Sequence, residues 1–350
     1  MKIHIDIGHP AHVHLFKNFA RLMKESGNSV SFTVRDKESV LVLMEREGLA
    51  YTCLGRHYRS PAGKAWGLVK FNFTILKLSL SEKPDIFLSH GSIYTILSSL
   101  LLRIPNISLE DTGNTEQVML YRYFTKAIIT SDSFRKDYGR KQVRYRGCHE
   151  LAYLHPVRFS PDRGVRRDLG VGDDEKYFIV RFVSWKASHD LAHSGMSLQD
   201  KKDIVKTLLN YGKVFISSES ALPDDMATFR FFLPPERMHH ALAFAHLYVG
   251  EGATMASEAA VLGTAALYIN PMEAGSIDEQ EASGLVYHFR NAKGVKEKIR
   301  LLLEDPAAKE KAMAKSGEYV STRTDLTAWL AEFIKLWPES LKQSQRKSDK

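Results

Sequence analysis

Short apolar runs alternate with helix-period stretches along most of this chain, and that alternation limits the fold more than any other feature. The first series reads IHIDI (3–7), SVSFTV (29–34), YTCL (51–54), DIFLS (85–89), NISLE (106–110), AIITS (127–131) and VRYRG (143–147). Helical patterns over 12–26, 37–48 and 93–102 lie between them, with a long apolar stretch reaching residue 81. Strands separated by helices are joined by crossovers rather than hairpins, which builds a mostly parallel sheet with helices on both faces.

Residues 155–175, HPVRFSPDRGVRRDLGVGDDE, break the rhythm with Pro, Gly and charge and read as a linker. The alternation then resumes with YFIVRFV (177–183), KVFISS (213–218), TFRFFL (228–233), LYVG (247–250), ALYIN (266–270) and VYHF (286–289). Helices are predicted over 197–211, 235–245 and 254–262. A length of 350 residues suits two domains of about 150. The expected division is a domain over 1–155, a linker over 156–175 and a second domain over 176–320, then helices over 321–340 and a disordered basic tail over 341–350. The fold class is α/β, with two Rossmann-like doubly wound domains facing across a cleft. Ligands of such sheets collect beyond the carboxyl ends of the strands.

Composition narrows the partners. Two cysteines, Cys53 and Cys148, make neither a metal spacing nor a disulfide framework, which suits a reducing cytoplasm. Lys2 leads straight into a strand rather than an apolar signal segment, and no apolar run is long enough to span a bilayer. The net charge of +8 points to anionic partners.

Two segments sit where ligands are expected. HPAHVH (9–14) follows the first strand, and its three histidines admit a metal site, a catalytic base or surface decoration. A metal needs convergent ligands, whereas His12 and His14 diverge by roughly 200° around a helix, and there is no Asp-x-Asp motif, so no metal is expected. The second segment is VGEGATMASEAAVLGTAALYINP (249–271). A strand ending at Gly250 and a helix starting near Ala253 leave Gly252 to free the backbone. The amides of Ala253, Thr254 and Met255 are then orphan donors of the kind that bind phosphate. Glu258 lies one turn after Thr254 and leans back toward that terminus, where a ribose attached to the diphosphate lies. Glu251 beside a phosphate is repelled unless it points to the sugar. A dinucleotide-binding G-x-G-x-x-G after the first strand and a P-loop are both absent.

The stretches HPAHVH, LSHGS, FRKDYG, YRGCHELAYLHP, RFVSWKASHD, FISSE, PPERMHH and GEGATMASEAAVLGT together resemble a largely uncharacterised glycosyltransferase-like family, over residues 1 to 290. That family is similar to GT-B glycosyltransferases and to the non-hydrolysing UDP-sugar 2-epimerases. The resemblance implies a GT-B-like chain whose second domain binds a nucleotide diphosphate sugar, most naturally a UDP-sugar, and whose first domain holds the acceptor and the base. Thr254 and its neighbours Gly252, Ala253 and Met255 then hold the diphosphate, and Glu258 the ribose. His12 takes the place of the essential histidine of such transferases, with His9 as helper. A neutral imidazole suits the removal of a hydroxyl proton, and a helix N-terminus favours the neutral form. Arg181 is a candidate for the pyrophosphate. His189 and Asp190 are candidates for orienting the donor, and Ser217 to Glu219 for shaping the base pocket. The nucleobase falls near Arg237, Met238 and His239, and Glu279 with Gln280 in IDEQE resembles the element that contacts sugar hydroxyls. Ala265 replaces a usual proline, and EDTGNTEQ (110–117) departs from a more acidic, histidine-bearing segment.

The expected function is therefore a cytoplasmic, metal-independent glycosyltransferase of polysaccharide biosynthesis without cofactor and without nucleic-acid partner. The rivals are a 2-epimerase, against which the missing Ser-Gly-Gly-x-Gln-Glu-Glu run counts, and a non-catalytic nucleotide-sugar-binding protein. Residues 56–83 bear on the acceptor, because this helix is apolar on two faces. Trp66, Val69, Phe73, Leu76 and Leu80 cover one; Leu68, Phe71, Ile75 and Leu78 cover the other. The second face meets another helix, a partner, or an anionic membrane surface through Arg56, Arg59, Lys64 and Lys70, which would place a lipid-linked acceptor beside His12 at the inner face of the membrane.

Overall fold

The computed structural model describes the chain except residues 38, 57, 59, 113–114, 183–195, 219, 273–274 and 349–350, and the side chains of 115–117 and 347–348. Two compact units result, one of residues 1–153 with 324–350, the other of residues 154–323.

The first unit begins β1 (Lys2–Ile7), α1 (Pro10–Glu25), β2 (Ser29–Asp36), α2 (Val40–Arg46), β3 (Thr52–Arg56) and α3 (Pro61–Glu82). It continues β4 (Ile86–His90), α4 (Ile96–Leu102), β5 (Asn106–Leu109), α5 (Thr115–Tyr121), β6 (Ala127–Ser131), β7 (Gln142–Tyr145) and α6 (Leu151–Leu154), the last ending one residue into the second unit. The second unit then runs α7 (Val165–Asp168), β8 (Tyr177–Phe182), α8 (Leu198–Leu209), β9 (Lys213–Ser218), α9 (Met238–Phe244), β10 (Leu247–Gly250) and α10 (Ala253–Val261). It closes with β11 (Ala266–Ile269), α11 (Gly275–Ala282), β12 (Val286–Phe289), α12 (Val295–Glu304) and α13 (Ala308–Ser321). The chain ends in α14 (Leu326–Lys335) and α15 (Glu339–Ser348), both belonging to the first unit.

All strand pairs within the two sheets are parallel. The orders are β3-β2-β1-β4-β5-β6-β7 and β12-β11-β10-β8-β9. The first reverses direction between β1 and β4, the second between β8 and β10, and such switch points open the crevices where α/β sheets bind ligands. Right-handed crossovers put α1 and α2 on one face of the first sheet and α3, α4 and α5 on the other. α14 packs on α1, and Thr327 Oγ1 donates to the Ala152 carbonyl at 2.7 Å, fastening the C-terminal segment to the first unit.

Local sequence explains the elements next to the switch points. His9 caps α1 by accepting the Ala11 amide, Pro10 opens the helix, and Val13, Phe16, Phe19, Ala20 and Met23 give it a buried stripe. The β1 interior is apolar except for His4 and Asp6. Asp6 is fully enclosed and accepts from Arg35 Nη1 at 2.9 and 3.1 Å, from Thr33 Oγ1 at 2.8 Å and from Ser92 Oγ at 2.5 Å. Arg35 in turn lies over the Tyr94 ring, 4.5 Å from its centroid. A Cβ on Gly8 would come 2.4 Å from the Arg35 guanidinium, which would have to shift against its bonds to Asp6 to make room. Gly250 is constrained more firmly at the end of β10, where a Cβ would meet the backbone carbonyl of Arg181 at 2.6 Å.

Three expectations are corrected. TFRFFL (228–233) is not a strand: Asp224–Phe229 is a short 3₁₀ turn, and only Arg230 bridges Ile216. The 3₁₀ turn takes up Thr228 and Phe229 and Pro234 ends the run, so only Arg230 to Leu233 remain for pairing with the edge strand β9. The stretch 156–175 is no free linker, because buried Arg166 donates to the carbonyls of Gly172, Asp173 and Glu175 and folds it into the second unit. The tail is not disordered through residue 348. It forms α15, whose buried Ser340 and Gln345 (which donates to the Arg140 carbonyl) dock it on the first unit near β7.

The Asp6 network yields the first prediction. Arg35→Ala leaves a buried carboxylate without its counter-charge and should destabilise the first unit by about 3–5 kcal/mol. Urea unfolding followed by Trp fluorescence and circular dichroism measures it; a loss under 1 kcal/mol, within the range of an exposed pair, would show that the pair is dispensable.

Candidate functional site

The carboxyl ends of β1, β4 and β5 and the segment after β7 bring four histidines and two carboxylates together. His9 and His12 follow β1, His90 ends β4, Glu110 and Asp111 follow β5, and His149 follows β7. The His12 ring lies 4.6 Å from that of His90 and 5.9 Å from that of His9, centroid to centroid, and His90 lies 5.4 Å from His149. His90 Nε2 donates to Asp111 Oδ1 at 2.9 Å. His149 Nδ1 is 2.7 Å from the Tyr145 hydroxyl. Glu110 accepts from Thr112 at its amide and hydroxyl and takes a short hydrogen bond from Tyr121.

These neighbours set the protonation states. Burial holds His12 well below the usual imidazole range, and the His90 and His9 rings push it further down, so it is neutral near pH 7. The sequence expectation named the helix N-terminus as the cause; burial and the imidazole neighbours are the larger ones. Burial works against the charge of His90, but Asp111 and Glu110 outweigh it and raise the group to about 9. The cationic His90 ring beside it holds the Asp111 carboxyl well below its usual range, against the opposing effect of desolvation. Burial lowers His149 to about 4. A neutral imidazole thus stacks against a cationic one. Gly8 N–H points at His12 Nδ1 from 3.4 Å, a long contact.

His14, expected on the surface, is buried and stacks near Tyr153 at 5.4 Å, because α1 turns it toward its packed side. His90, Asp111 and His149 were missed by sequence reasoning. LSHGS, EDTG and GCHE lay at strand ends, which was the available signal; what was not legible was that segments 20 to 60 residues apart converge.

In the second unit, α10 starts directly after Gly250, in register with Arg181 of β8. Gly252 caps it without a side chain, and the first helical bond runs from Ala256 N–H to Gly252 O. The amides of Ala253, Thr254 and Met255 therefore lack partners within the helix. Glu258 is buried and its Oε1 lies 3.0 Å from His239 Nε2. Arg181 Nη1 donates to Ser217 Oγ at 2.8 Å. Glu251 pairs with Lys201 of α8 at 2.9 Å, both side chains nearly enclosed, so its charge is compensated. Lys201 had no signal in the sequence.

The remaining candidates are less favourably placed. Met238 opens α9, while the adjacent Arg237 is spent on Asp162 and Asp168. Glu279 is engaged at both oxygens, with Arg323 at 2.5 Å and Tyr319 at 3.3 Å. Gln280 is fully buried and donates to Ser257 Oγ at 2.7 Å, so it braces α11 on α10. His189, Asp190 and Glu219 lie outside the described residues.

Comparison with known proteins follows the same architecture. A family model described as "Protein of unknown function (DUF354)" matches residues 1–326. No curated protein matches the sequence. Among solved structures, the Neisseria meningitidis UDP-GlcNAc 2-epimerase bound to UDP-GlcNAc superposes with a TM-score of 0.67 at 12% identity, covering 95% of this chain and 100% of that one. MnaA of S. aureus with UDP gives 0.69 at 11%, covering 97% of each. The spinosyn rhamnosyltransferase SpnG gives 0.59 at 12%, covering 96% and 99%. The fold is the GT-B one that epimerases and glycosyltransferases share.

Proposed function

The chain belongs to the DUF354 family of proteins of unknown function, and we propose that it is a glycosyltransferase that moves a sugar from a UDP-sugar to a hydroxyl acceptor. One observation carries the reading: three helix-start amides with no partner within their helix stand at the β8–β10 switch point with a carboxylate, Glu258, one turn behind them. Amides in that arrangement suit the diphosphate, and Glu258 suits vicinal ribose hydroxyls once it shares or releases His239. Arg181 is the cation available to the pyrophosphate, and Met238 borders the nucleobase. Neutralisation of Glu251 by Lys201 removes the repulsion that the sequence alone suggested. Glu279 and Gln280 hold the helix behind this site, which is a positioning role.

In the first unit His12 is the base. Its ring is neutral, lies at the β1–β4 switch point, and has the His90 ring 4.6 Å away, centroid to centroid. As the acceptor oxygen attacks the anomeric carbon, its proton passes to His12 and the UDP leaves with the electron pair of the broken C–O bond. His9, tied up as the cap of α1, shapes the entrance. The nucleotide-sugar epimerases among the structural neighbours favour a second reading, 2-epimerisation. Incubation with UDP-GlcNAc alone separates the two, since an epimerase needs no acceptor, and a binding protein would hold the nucleotide without turnover.

Variants test the two halves together. Glu258→Ala should weaken UDP binding by about 1.5–3 kcal/mol in calorimetry. His12→Ala should leave that affinity unchanged and lower turnover by about 10²–10⁴. Equal UDP affinity in Glu258→Ala, or more than half of the turnover in His12→Ala, removes the respective residue from the site.

The acceptor is proposed to be a lipid-linked sugar at an anionic membrane surface on the cytoplasmic side. No helix among the described residues is long and apolar enough to cross a membrane. Yet α3 buries Phe71 and Ile75 and leaves Trp66, Val69, Phe73 and Leu80 exposed, with Trp66 61% and Phe73 60% accessible. The other helices of that face expose Leu100, Leu101, Met119 and Leu120. Exposed Lys64 and Lys70 on α3 supply the charge that anionic headgroups match, with Arg122, Lys126 and Lys141 clustered after α5. Arg56 is exposed beside Asp36; Arg59 lies outside the described residues. Flotation with anionic liposomes checks the idea. Binding should fall with salt and with Lys64→Glu plus Lys70→Glu, whereas failure to float at low salt would make the acceptor a soluble molecule.

A further inference from the structure

His90, Asp111 and His149 offer one ligand-capable atom each within 4.8 Å of the others, at the carboxyl ends of three strands. An ion pair accounts for His90 and Asp111. It does not account for His149. That residue is 7% exposed, its Nδ1 is committed to Tyr145, and its Nε2 is sealed from solvent with no hydrogen-bond partner among the described residues. Such a buried orphan is costly, so it calls for a bound group.

We propose that His90, Asp111 and His149 bind a divalent transition metal, zinc being the ion the donor set suits best, with the fourth position open on the His12 side. Two imidazoles and a carboxylate are a common zinc donor set, and three protein ligands with a free position are the pattern of sites that also hold water or substrate. Tetrahedral ligands at about 2.0–2.1 Å stand roughly 3.3 Å from one another, so gathering atoms already within 4.8 Å takes only small side-chain shifts. The orienting contact is in place too. With a metal on Nε2, His149 Nδ1–H donates to the Tyr145 oxygen at 2.7 Å, which fixes the ring. On binding, the metal takes the Nε2 lone pair of His90, and the proton shared with Asp111 leaves to solvent. The three histidines of HPAHVH are not needed as ligands. The site therefore arises from LSHGS, EDTG and GCHE, segments with no metal spacing of their own.

Cobalt(II) is the probe, because its visible spectrum reports ligand geometry independently of turnover. The full chain is stripped with EDTA, desalted and titrated with cobalt, then with zinc. The expected result is a single equivalent of cobalt with the intense bands of a four- or five-coordinate ion, displaced by zinc. Asp111→Asn and His149→Ala should each weaken binding by about tenfold or more, and Tyr145→Phe by about tenfold. Cys53→Ser should bind as wild type, since that exposed thiol is no ligand. Should His149→Ala not fold, Asp111→Asn, whose side chain is 37% exposed, decides alone. No saturable cobalt uptake by the folded wild type, or the same uptake and spectrum in folded Asp111→Asn, would overturn the proposal. Because no sugar donor enters the experiment, its outcome is separate from that of the transfer reaction.

Discussion

The Asp6 carboxylate, with almost no exposure to water, is the constraint around which the first unit is arranged. A buried charge of that kind persists only if its partners are fixed, and here they come from β2 (Thr33, Arg35) and from the turn after β4 (Ser92). The carboxylate thus ties together the strands on either side of the β1–β4 switch point. The consequences reach the site directly. Arg35 packs against Gly8, Gly8 starts the turn into α1, and α1 carries His9 and His12. The histidine cluster is held from below by an ion pair that contains no histidine.

The second unit solves the same problem with different residues. Lys201 neutralises Glu251, His239 meets Glu258, and Arg323 holds Glu279. Each pair is largely enclosed, and each joins two helices or a helix and a turn. What they do not use is the backbone at the start of α10, where the glycine cap offers no side chain to the first amides. A site built this way keeps fixed donors for an anion while presenting little competing negative charge. The first unit is the reverse, with imidazole and carboxylate side chains gathered at the strand ends.

Much of this was legible in the sequence, for physical reasons that can be named. The strand–helix alternation required parallel sheets, and GEGATMASE located the helix start because glycine and small residues have few other uses at a strand end. HPAHVH located His9 and His12 for the same reason. Legibility failed wherever the answer depended on distant pairing. Nothing local tells that Glu251 meets Lys201, that Glu279 meets Arg323, or that His149 reaches His90. TFRFFL failed differently: its composition favours a strand, but a 3₁₀ turn begun at Asp224 runs into it and Pro234 closes it.

The central claim is that a nucleotide diphosphate sits on the start of α10. The measurement that tests it most directly is the backbone amide spectrum of the labelled chain as UDP is added. The account expects the Ala253, Thr254 and Met255 amides to shift downfield and saturate together, with smaller changes at Arg181 and Glu258. Saturable binding that leaves those three amides unmoved, with the shifts gathered elsewhere, would contradict it.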